Sequence, residues 1–275
     1  MKHSSLPRTR ALPVLAAAVA ATGLALAGCG ASASGSGSGT AGSGGGTSST
    51  GSGSGSSASS GSNSTTTTSG STVSGSALFP MAVGNTWVYE QKLTGDHGTV
   101  TNRIASVTPA ASGQRVVMKS RNDMAGLPHT TTSALFIVHP DGSISVPLTQ
   151  FGSRGVSIKS GSAVWPSQAE LASGQPHTST LVVTIDESGH TMRVRAHIVV
   201  RGAGTQTVTV PAGTYQATVI NETMTEKIMG FQVTLDVRTW LASGVGPVKS
   251  EVLTKAGSLS NGITTEQVLQ SFTKG

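Results

Sequence analysis

The single cysteine of the chain, Cys29, is the residue whose position most clearly indicates chemistry. It follows Leu26, Ala27 and Gly28 and precedes a long run of serine and glycine. One cysteine cannot form an intramolecular disulfide, so its thiol is available as a nucleophile. The pattern therefore predicts a covalent modification at Cys29 rather than a structural cross-link.

No pattern in the sequence identifies an enzymatic reaction. The chain contains neither a G-x-S-x-G nucleophile elbow nor an H-E-x-x-H zinc motif. Ser271 and Lys274 match S-x-x-K, but they lie at the C-terminal end, whereas that mechanism places the pair on a buried helix. We therefore predict no catalytic residues. The sequence leaves one alternative open, a pair of distant carboxylates that the fold brings together for glycoside hydrolysis.

The residues before Cys29 have the three parts of a secretory signal. Lys2, Arg8 and Arg10 form a positive segment without an acid, and Ala11 to Gly28 follow without any charge. Apolar residues partition into the bilayer while the positive end stays on the cytoplasmic side. Residues 1–28 are therefore predicted to be a leader that directs export.

The segment Leu26-Ala27-Gly28-Cys29 resembles the lipobox of bacterial lipoproteins. The resemblance implies that the Cys29 thiol takes a diacylglycerol group and that a peptidase cuts the chain before Cys29. Two or more acyl chains hold a protein on a membrane stably, at about 0.8 kcal/mol per buried CH₂. The expected location is the cell membrane or the outer membrane, facing outside the cytoplasm. The alternative is an ordinary signal or an uncleaved anchor that ends in a cysteine.

Metal, cofactor and nucleic-acid sites are not expected. The six histidines after the leader are scattered, and none pairs with another at metal-ligand spacing. Residues 37–42 match G-x-G-x-x-G, but no strand precedes them as dinucleotide binding requires. Loss of the three leader cations lowers the formal charge from +6 to +3, so the basic pI is a poor argument for nucleic-acid binding.

Residues 29–76 are predicted to be the lipidated cysteine and a disordered tether. From Gly30 to Ser76 the chain has no charge and no aromatic residue, and Val73 is its only large apolar residue. Such a segment cannot bury enough apolar surface to offset its ordering entropy. Its root-mean-square span should be roughly 35–40 Å, which lets a folded domain stand away from the membrane.

Residues 77–275 are predicted to form one β-rich extracytoplasmic domain. Apolar and polar residues alternate clearly along residues 192–198 and 231–238, as expected of strands with one face on a core and one in water. In the first of these, Arg193, Arg195 and His197 form a basic stripe, which we interpret as a solvated face. The alternative is contact with anionic lipid head groups or wall polymers. The predicted strands cover residues 86–93, 99–107, 114–121, 133–139, 143–146, 180–186, 192–198, 206–210, 214–222, 231–238, 246–254 and 264–272.

One short helix is predicted among these strands. Ser167 and Glu170 have the spacing of a capping box, Pro166 precedes them and Gly174 can end the helix. The expected fold class is mainly β, with a single antiparallel, strongly curved sheet or half-barrel of about ten to twelve strands and one short helix.

Three segments extend this interpretation: FPMAVGNTWVY from Phe79, VPAGTY from Val210 and GVGPVKSE from Gly244. Together they resemble a loosely defined group of exported bacterial domains, many of them on lipoproteins and mostly without assigned activity. That group is similar to the curved antiparallel sheets of the Lol-type lipoprotein carriers, which bind acyl chains on a concave apolar face. The resemblance implies the same architecture here and, as a further expectation, an apolar ligand.

Two functional hypotheses follow, and neither is catalytic. In the first, the domain binds an apolar ligand in the concavity of the sheet, with Trp87, Tyr89 and Trp240 as candidate lining. In the second, it is a structural or accessory protein that docks another cell-envelope protein and has no small ligand. The same three aromatic residues have a simpler interpretation as core residues that determine the fold.

Overall fold

The computed structural model describes residues 78–93, 96–125, 129–150, 152–153, 156–187, 190–228, 231–256 and 262–275. The predicted leader, the predicted lipidation site at Cys29 with Leu26, Ala27 and Gly28, and the predicted tether all lie outside these described residues. Within them, the chain forms no helix with the length and apolar character needed to cross a bilayer.

Strands dominate the described residues, which contain fourteen strands and one short helix. A 3-10 turn over Leu148–Gln150 separates β5 from β6. The elements are β1 (Thr86–Leu93), β2 (Asp96–Ala110), β3 (Gly113–Met124), β4 (Thr130–Val138), β5 (Ile144–Pro147), β6 (Gly152–Ser153), β7 (Val156–Ser160), β8 (Ser162–Trp165), α1 (Gln168–Ala172), β9 (His177–Glu187), β10 (His190–Val210), β11 (Gly213–Ile228), β12 (Phe231–Ala242), β13 (Gly246–Ala256) and β14 (Ile263–Thr273).

All fourteen strands belong to one sheet, in the order β6-β7-β9-β10-β11-β12-β13-β14-β1-β2-β3-β4-β5-β8. Every neighbouring pair is antiparallel, and β1 and β14 pair at the centre, where Trp87 lies opposite Phe272. β7 and β8 lie at opposite ends of this order, yet only Gly161 separates them in the chain. One intervening residue spans at most about 7 Å. The sheet must therefore curl until its two ends nearly meet.

The prediction of one strongly curved antiparallel sheet with one short helix is confirmed. Two details of the predicted strands are wrong. Residues 192–198 and 206–210 belong to one continuous strand, β10, because a register shift between Gly202 and Thr205 lets its ladder with β11 continue through the glycines. The short strands β6, β7 and β8 were not predicted, since they have only two to five residues and the sheet partners of β7 and β8, on β9 and β5, lie roughly 15 to 30 residues away in the chain.

Helix α1 has the predicted capping box. The Ser167 hydroxyl accepts a hydrogen bond from Glu170 N at 3.3 Å, and Ser167 N donates to Glu170 Oε2 at 2.7 Å. These bonds satisfy N–H groups that have no partner inside the first turn. Gly174 follows the helix with a φ of 69°, a conformation that favours glycine.

A close approach between α1 and β10 explains the glycine at position 202. A Cβ atom at Gly202 would overlap the carbonyl oxygen of Leu171 in α1. We expect Gly202→Ala to lower the free energy of unfolding by about 1–3 kcal/mol, because backbone must move to admit the methyl group. Urea unfolding followed by circular dichroism measures this loss. Ala203→Val, at the exposed neighbouring position, is the control and should cost much less.

The hydrophobic core is one continuous cluster of buried side chains. We call the side of the sheet that carries Ile198, Val237 and Val252 the inner face, and the opposite side the outer face. Every described strand and the whole of this cluster lie within residues 78–275. Since this segment holds its own core, we expect it to fold without the residues before it.

Candidate functional site

The structure places two of the predicted aromatic residues, Trp87 and Tyr89, in the core. Their side chains are 0% and 3% exposed. Trp87 Nε1 donates a hydrogen bond to the carbonyl oxygen of Val245 at 2.6 Å, and the Tyr89 hydroxyl donates to that of Pro247 at 3.0 Å. The segments that begin at Phe79 and at Gly244 are therefore joined directly, because β1 supplies the donors, and the β12–β13 turn and the start of β13 supply the acceptors.

The glycine of this turn fits against the aromatic side chains. Gly246 has a φ of 99°, and a Cβ at this position would lie 2.8 Å from the ring of Phe79. The indole of Trp87 contacts Phe79 and Phe272, with ring centroids 5.3 Å away in each case. These contacts favour the interpretation of Trp87 as a residue that determines the fold.

The third predicted aromatic residue, Trp240, lies on the outer face. Trp240 Nε1 donates to Gln206 Oε1 at 3.2 Å. The guanidinium of Arg238 lies 4.7 Å from the ring centroid, and the amine of Lys249 lies 5.2 Å away. The two cations therefore cover the indole, and Trp240 is not on the same face as Trp87 and Tyr89.

The basic stripe on β10 lies where the alternation predicted. Arg193, Arg195 and His197 are exposed, while Val194 and Ala196 between them are buried. Among the described residues, no three acidic, histidine or cysteine side chains are grouped closely enough to hold a metal ion.

Two carboxyl groups are buried on the inner face of β11. Glu222 is 3% exposed and Glu226 is 4% exposed. The strand positions beside Glu222 are Val200 on β10 and Val237 on β12, which are both buried. Trp165, on the distant strand β8, donates from Nε1 to Glu222 Oε2 at 3.2 Å. The carboxyl of Glu222 thus ties one end of the sheet to β11 across its interior.

Glu226 lies in apolar surroundings of the same kind. Ala196 on β10 and Val233 on β12 are the strand positions beside it. Its Oε1 atom is buried and has no hydrogen-bond partner among the described residues. Burial raises the pKa of Glu226 to about 7. Burial likewise raises the pKa of Glu222 to about 8, although the hydrogen bond from Trp165 opposes that shift.

Sequence analysis did not single out these two glutamates, yet the alternation contained a signal. Along β11, Ile220 and Met224 are buried on the same face as Glu222 and Glu226. Carboxyl groups at apolar positions of an alternating strand must lie in the core unless the register changes. Such positions are costly and often have a functional reason.

A row of uncharged polar side chains crosses the inner face beside these carboxyls. Thr239, Ser250, Gln267 and Gln91 follow one another on β12, β13, β14 and β1, and all are buried. Gln267 Nε2 donates to Gln91 Oε1 at 2.7 Å. Gln267 Oε1 and Ser250 Oγ are buried without a hydrogen-bond partner among the described residues. The inner face is therefore apolar with a polar centre.

A cleft of about 480 Å³ crosses strands β11 to β14. Most of the residues that line it alternate toward the outer face, so we call it the outer cleft. One wall contains Arg238 and Glu251, and the other contains Asp236 and Leu253. The remaining lining residues are Asn221, Glu222, Thr223, Val237, Val252 and Thr264.

Polar contacts fix the charged side chains in the walls of the outer cleft. The carboxylate of Asp236 accepts from Lys255 at 3.1 Å on one side. On the other side, Glu251 pairs with Lys249 at 2.8 Å, and Arg238 stacks on the Trp240 ring. Thr223, which lines the cleft, also donates to Asp236 Oδ1 at 3.0 Å. Arg238 Nε has no hydrogen-bond partner among the described residues.

Comparison with known proteins gives a family and a fold. Residues 88–264 match the family described as DUF3108-like. A candidate lipoprotein from Parabacteroides distasonis has a similar structure, with a TM-score of 0.53 and 16% identity over 71% of this chain and 98% of that one. A candidate exported protein with a YmcC-like fold from Bacteroides fragilis gives a TM-score of 0.50 and 17% identity, with the same coverage. At these identities the likeness establishes the fold alone. No curated protein matches the chain.

Proposed function

This chain belongs to the DUF3108-like family, and from that premise we propose that it is an exported, lipid-anchored binding protein without catalytic activity. Its ligand is an apolar molecule that lies on the inner face of the curved sheet. The proposal is supported by the apolar side chains of that face beside β11, such as Ile198 and Leu235, and by Glu226 Oε1, a buried acceptor without a partner among the described residues that a donor at one end of the ligand would satisfy.

The anchor is the lipidated Cys29, and the tether lets the sheet stand away from the membrane. The support for the anchor is the order of its parts: a positive segment, an apolar segment, small residues and then the only cysteine. The two proteins of similar fold are described as a candidate lipoprotein and a candidate exported protein, which agrees with this arrangement.

Replacing Cys29 by serine is expected to abolish membrane attachment, because a hydroxyl does not replace the thiol that accepts the lipid. Fractionation of bacterial cells and the intact mass of the purified protein measure the result. Wild-type protein should begin at Cys29, carry fatty acids and sediment with membranes, and Ser34→Ala should behave like wild type. A wild-type product that begins elsewhere or carries no fatty acid would refute the anchor.

The ligand is tested with residues 30–275, which keep the tether and the sheet but need no detergent. Native mass spectrometry of this protein, purified from cells, should show an additional bound mass that organic extraction removes. Decanol should then bind to the protein from which this mass has been extracted. Protein that always lacks a bound mass and ignores decanol would rule out an apolar ligand.

The outer cleft favours a second candidate function, the docking of another cell-envelope protein. Its walls present one cation and two carboxylates at fixed strand positions. A photo-crosslinking residue at exposed Thr264 should then capture one defined partner in cells, whereas the same residue at Arg195 on β10 should not. Equal capture at both positions, or capture at neither, would exclude docking at the cleft.

A further inference from the structure

The described surroundings of Glu226 contain no buried positive charge. Among the residues whose burial is described, the buried side chains that can carry a charge at neutral pH are Glu222 and Glu226, and both are acids. The strand neighbours Ala196 and Val233 cannot donate a hydrogen bond from their side chains, and Met224, the next inward residue of β11, cannot either. Among the described side chains of β10 and β12, the Glu226 carboxyl therefore has neither a cation nor a donor beside it.

Glu222 and Glu226 differ in their hydrogen bonding. Four residues along a strand separate their Cα atoms by about 13 Å, so they do not form a carboxyl pair that shares one ligand atom. Trp165 already donates to Glu222 Oε2 and ties that carboxyl to β8. Glu226 Oε1 is the carboxyl oxygen that remains without a partner.

We propose that Glu226 recognises a primary ammonium group on an amphiphilic ligand whose apolar body lies along the inner face. This inference rests on the proposed function and names the class of its ligand. A buried carboxylate without a cation is costly, and an ammonium group supplies both a counter-charge and up to three donors. The apolar body packs on Ile198 and Leu235, which are buried on the strands either side of β11.

Space for such a head group is consistent with the small side chain beside Glu226. Ala196 has only a methyl group where the other inward residues of β10 near it, Val194, Ile198 and Val200, are larger. Ala196 is therefore the smallest of the inward side chains in this part of β10. An amine that arrives protonated forms an ion pair, and any proton on the carboxyl leaves to the buffer.

Three probes of equal chain length test the inference on residues 30–275. Calorimetric titration should show that decylamine binds about tenfold tighter than decanol, and that decanoate binds most weakly. A charge-assisted hydrogen bond is stronger than a neutral one, and the difference in free energy is enough for a tenfold change in affinity. Burial raises the pKa of Glu226 to about 7, so part of the protein carries a protonated carboxyl at pH 7 and amine binding should release a fraction of a proton, measured with buffers of different ionisation enthalpy. Glu226→Gln should remove both the preference and the proton release.

Glu90→Gln, at a half-buried acid on the outer face of β1 that does not line the outer cleft, is the control and should keep the preference. If Glu226→Gln does not fold, the amine–alcohol ratio and the proton count of the wild type decide. Equal binding of decylamine and decanol without proton release would overturn the inference and leave the apolar site intact. Failure of all three probes to bind would instead overturn the proposed function.

Discussion

A Trp87→Ala variant is expected to lose about 3–5 kcal/mol of unfolding free energy, the loss that accompanies removal of a fully buried large aromatic side chain. The indole is 0% exposed and packs between Phe79 and Phe272. Its removal also leaves the carbonyl oxygen of Val245 without its donor. Urea unfolding followed by circular dichroism measures the change. An unchanged slope of the unfolding free energy against urea concentration would show that wild type and variant expose the same surface on unfolding.

Trp87→Phe separates the contribution of ring packing from that of the hydrogen bond to Val245. It keeps an aromatic ring against Phe79 but removes the Nε1 donor, so a loss of about 1–3 kcal/mol is expected from the unpaired carbonyl. Val83→Ala, at a position that is 53% exposed, is the control for removal of an apolar side chain from the surface. A Trp87→Ala protein as stable as the Val83→Ala protein would show that this aromatic contact does not determine the fold.

Glu222→Gln is expected to make the protein progressively more stable than wild type as the pH rises. The folded-state pKa of Glu222 is raised from its ordinary value of 4.5 to about 8 by burial, so the folded wild type binds more protons than the unfolded chain between these values. Wild-type stability therefore falls as the pH rises through this window, whereas glutamine does not titrate. The advantage of the variant should grow by about 4 kcal/mol between pH 5 and pH 8 and then level off.

Denaturant unfolding at pH 5, 6, 7, 8 and 9 measures this difference, and Glu170→Gln is the matched control. Hydrogen bonds from the Ser167 backbone and side chain lower the pKa of Glu170, so its contribution is present at higher pH and is lost as the pH falls below its ordinary range. The two variants should therefore differ in the sign and in the window of their pH dependence. Parallel stability curves for wild type and Glu222→Gln from pH 5 to pH 9 would show that Glu222 is not held neutral in the core.

The local rules of the sequence were sufficient for much of the fold. Alternation located the long strands, including residues 231–238 inside β12, because one face of each strand meets the core and the other meets water. The capping box at Ser167 was predictable for a similar reason, since its hydrogen bonds join residues only three positions apart. Closure of the sheet through Gly161 was not, because β7 and β8 pair with strands that local patterns cannot specify.

The candidate sites were less predictable than the strands. The burial of Glu226 could have been read from its place on the apolar side of β11, but its lack of a partner depends on β10 and β12. The contact between Trp165 and Glu222 joins residues 57 positions apart, and the outer cleft depends on which charges the register places side by side. Such features follow from the pairing of whole strands rather than from any one segment.

The pairing of β1 with β14 at the centre of the sheet has a consequence for biogenesis. Thr86 lies opposite Thr273, so the middle of the sheet joins the first and the last of the described strands, which are synthesised well apart in time. Closing such a long loop is entropically costly, and folds dominated by distant contacts form slowly. Until β14 has been synthesised, β13 and β1 each lack their neighbour on one side. During that interval a holding chaperone that covers β1 should reduce aggregation in the cell.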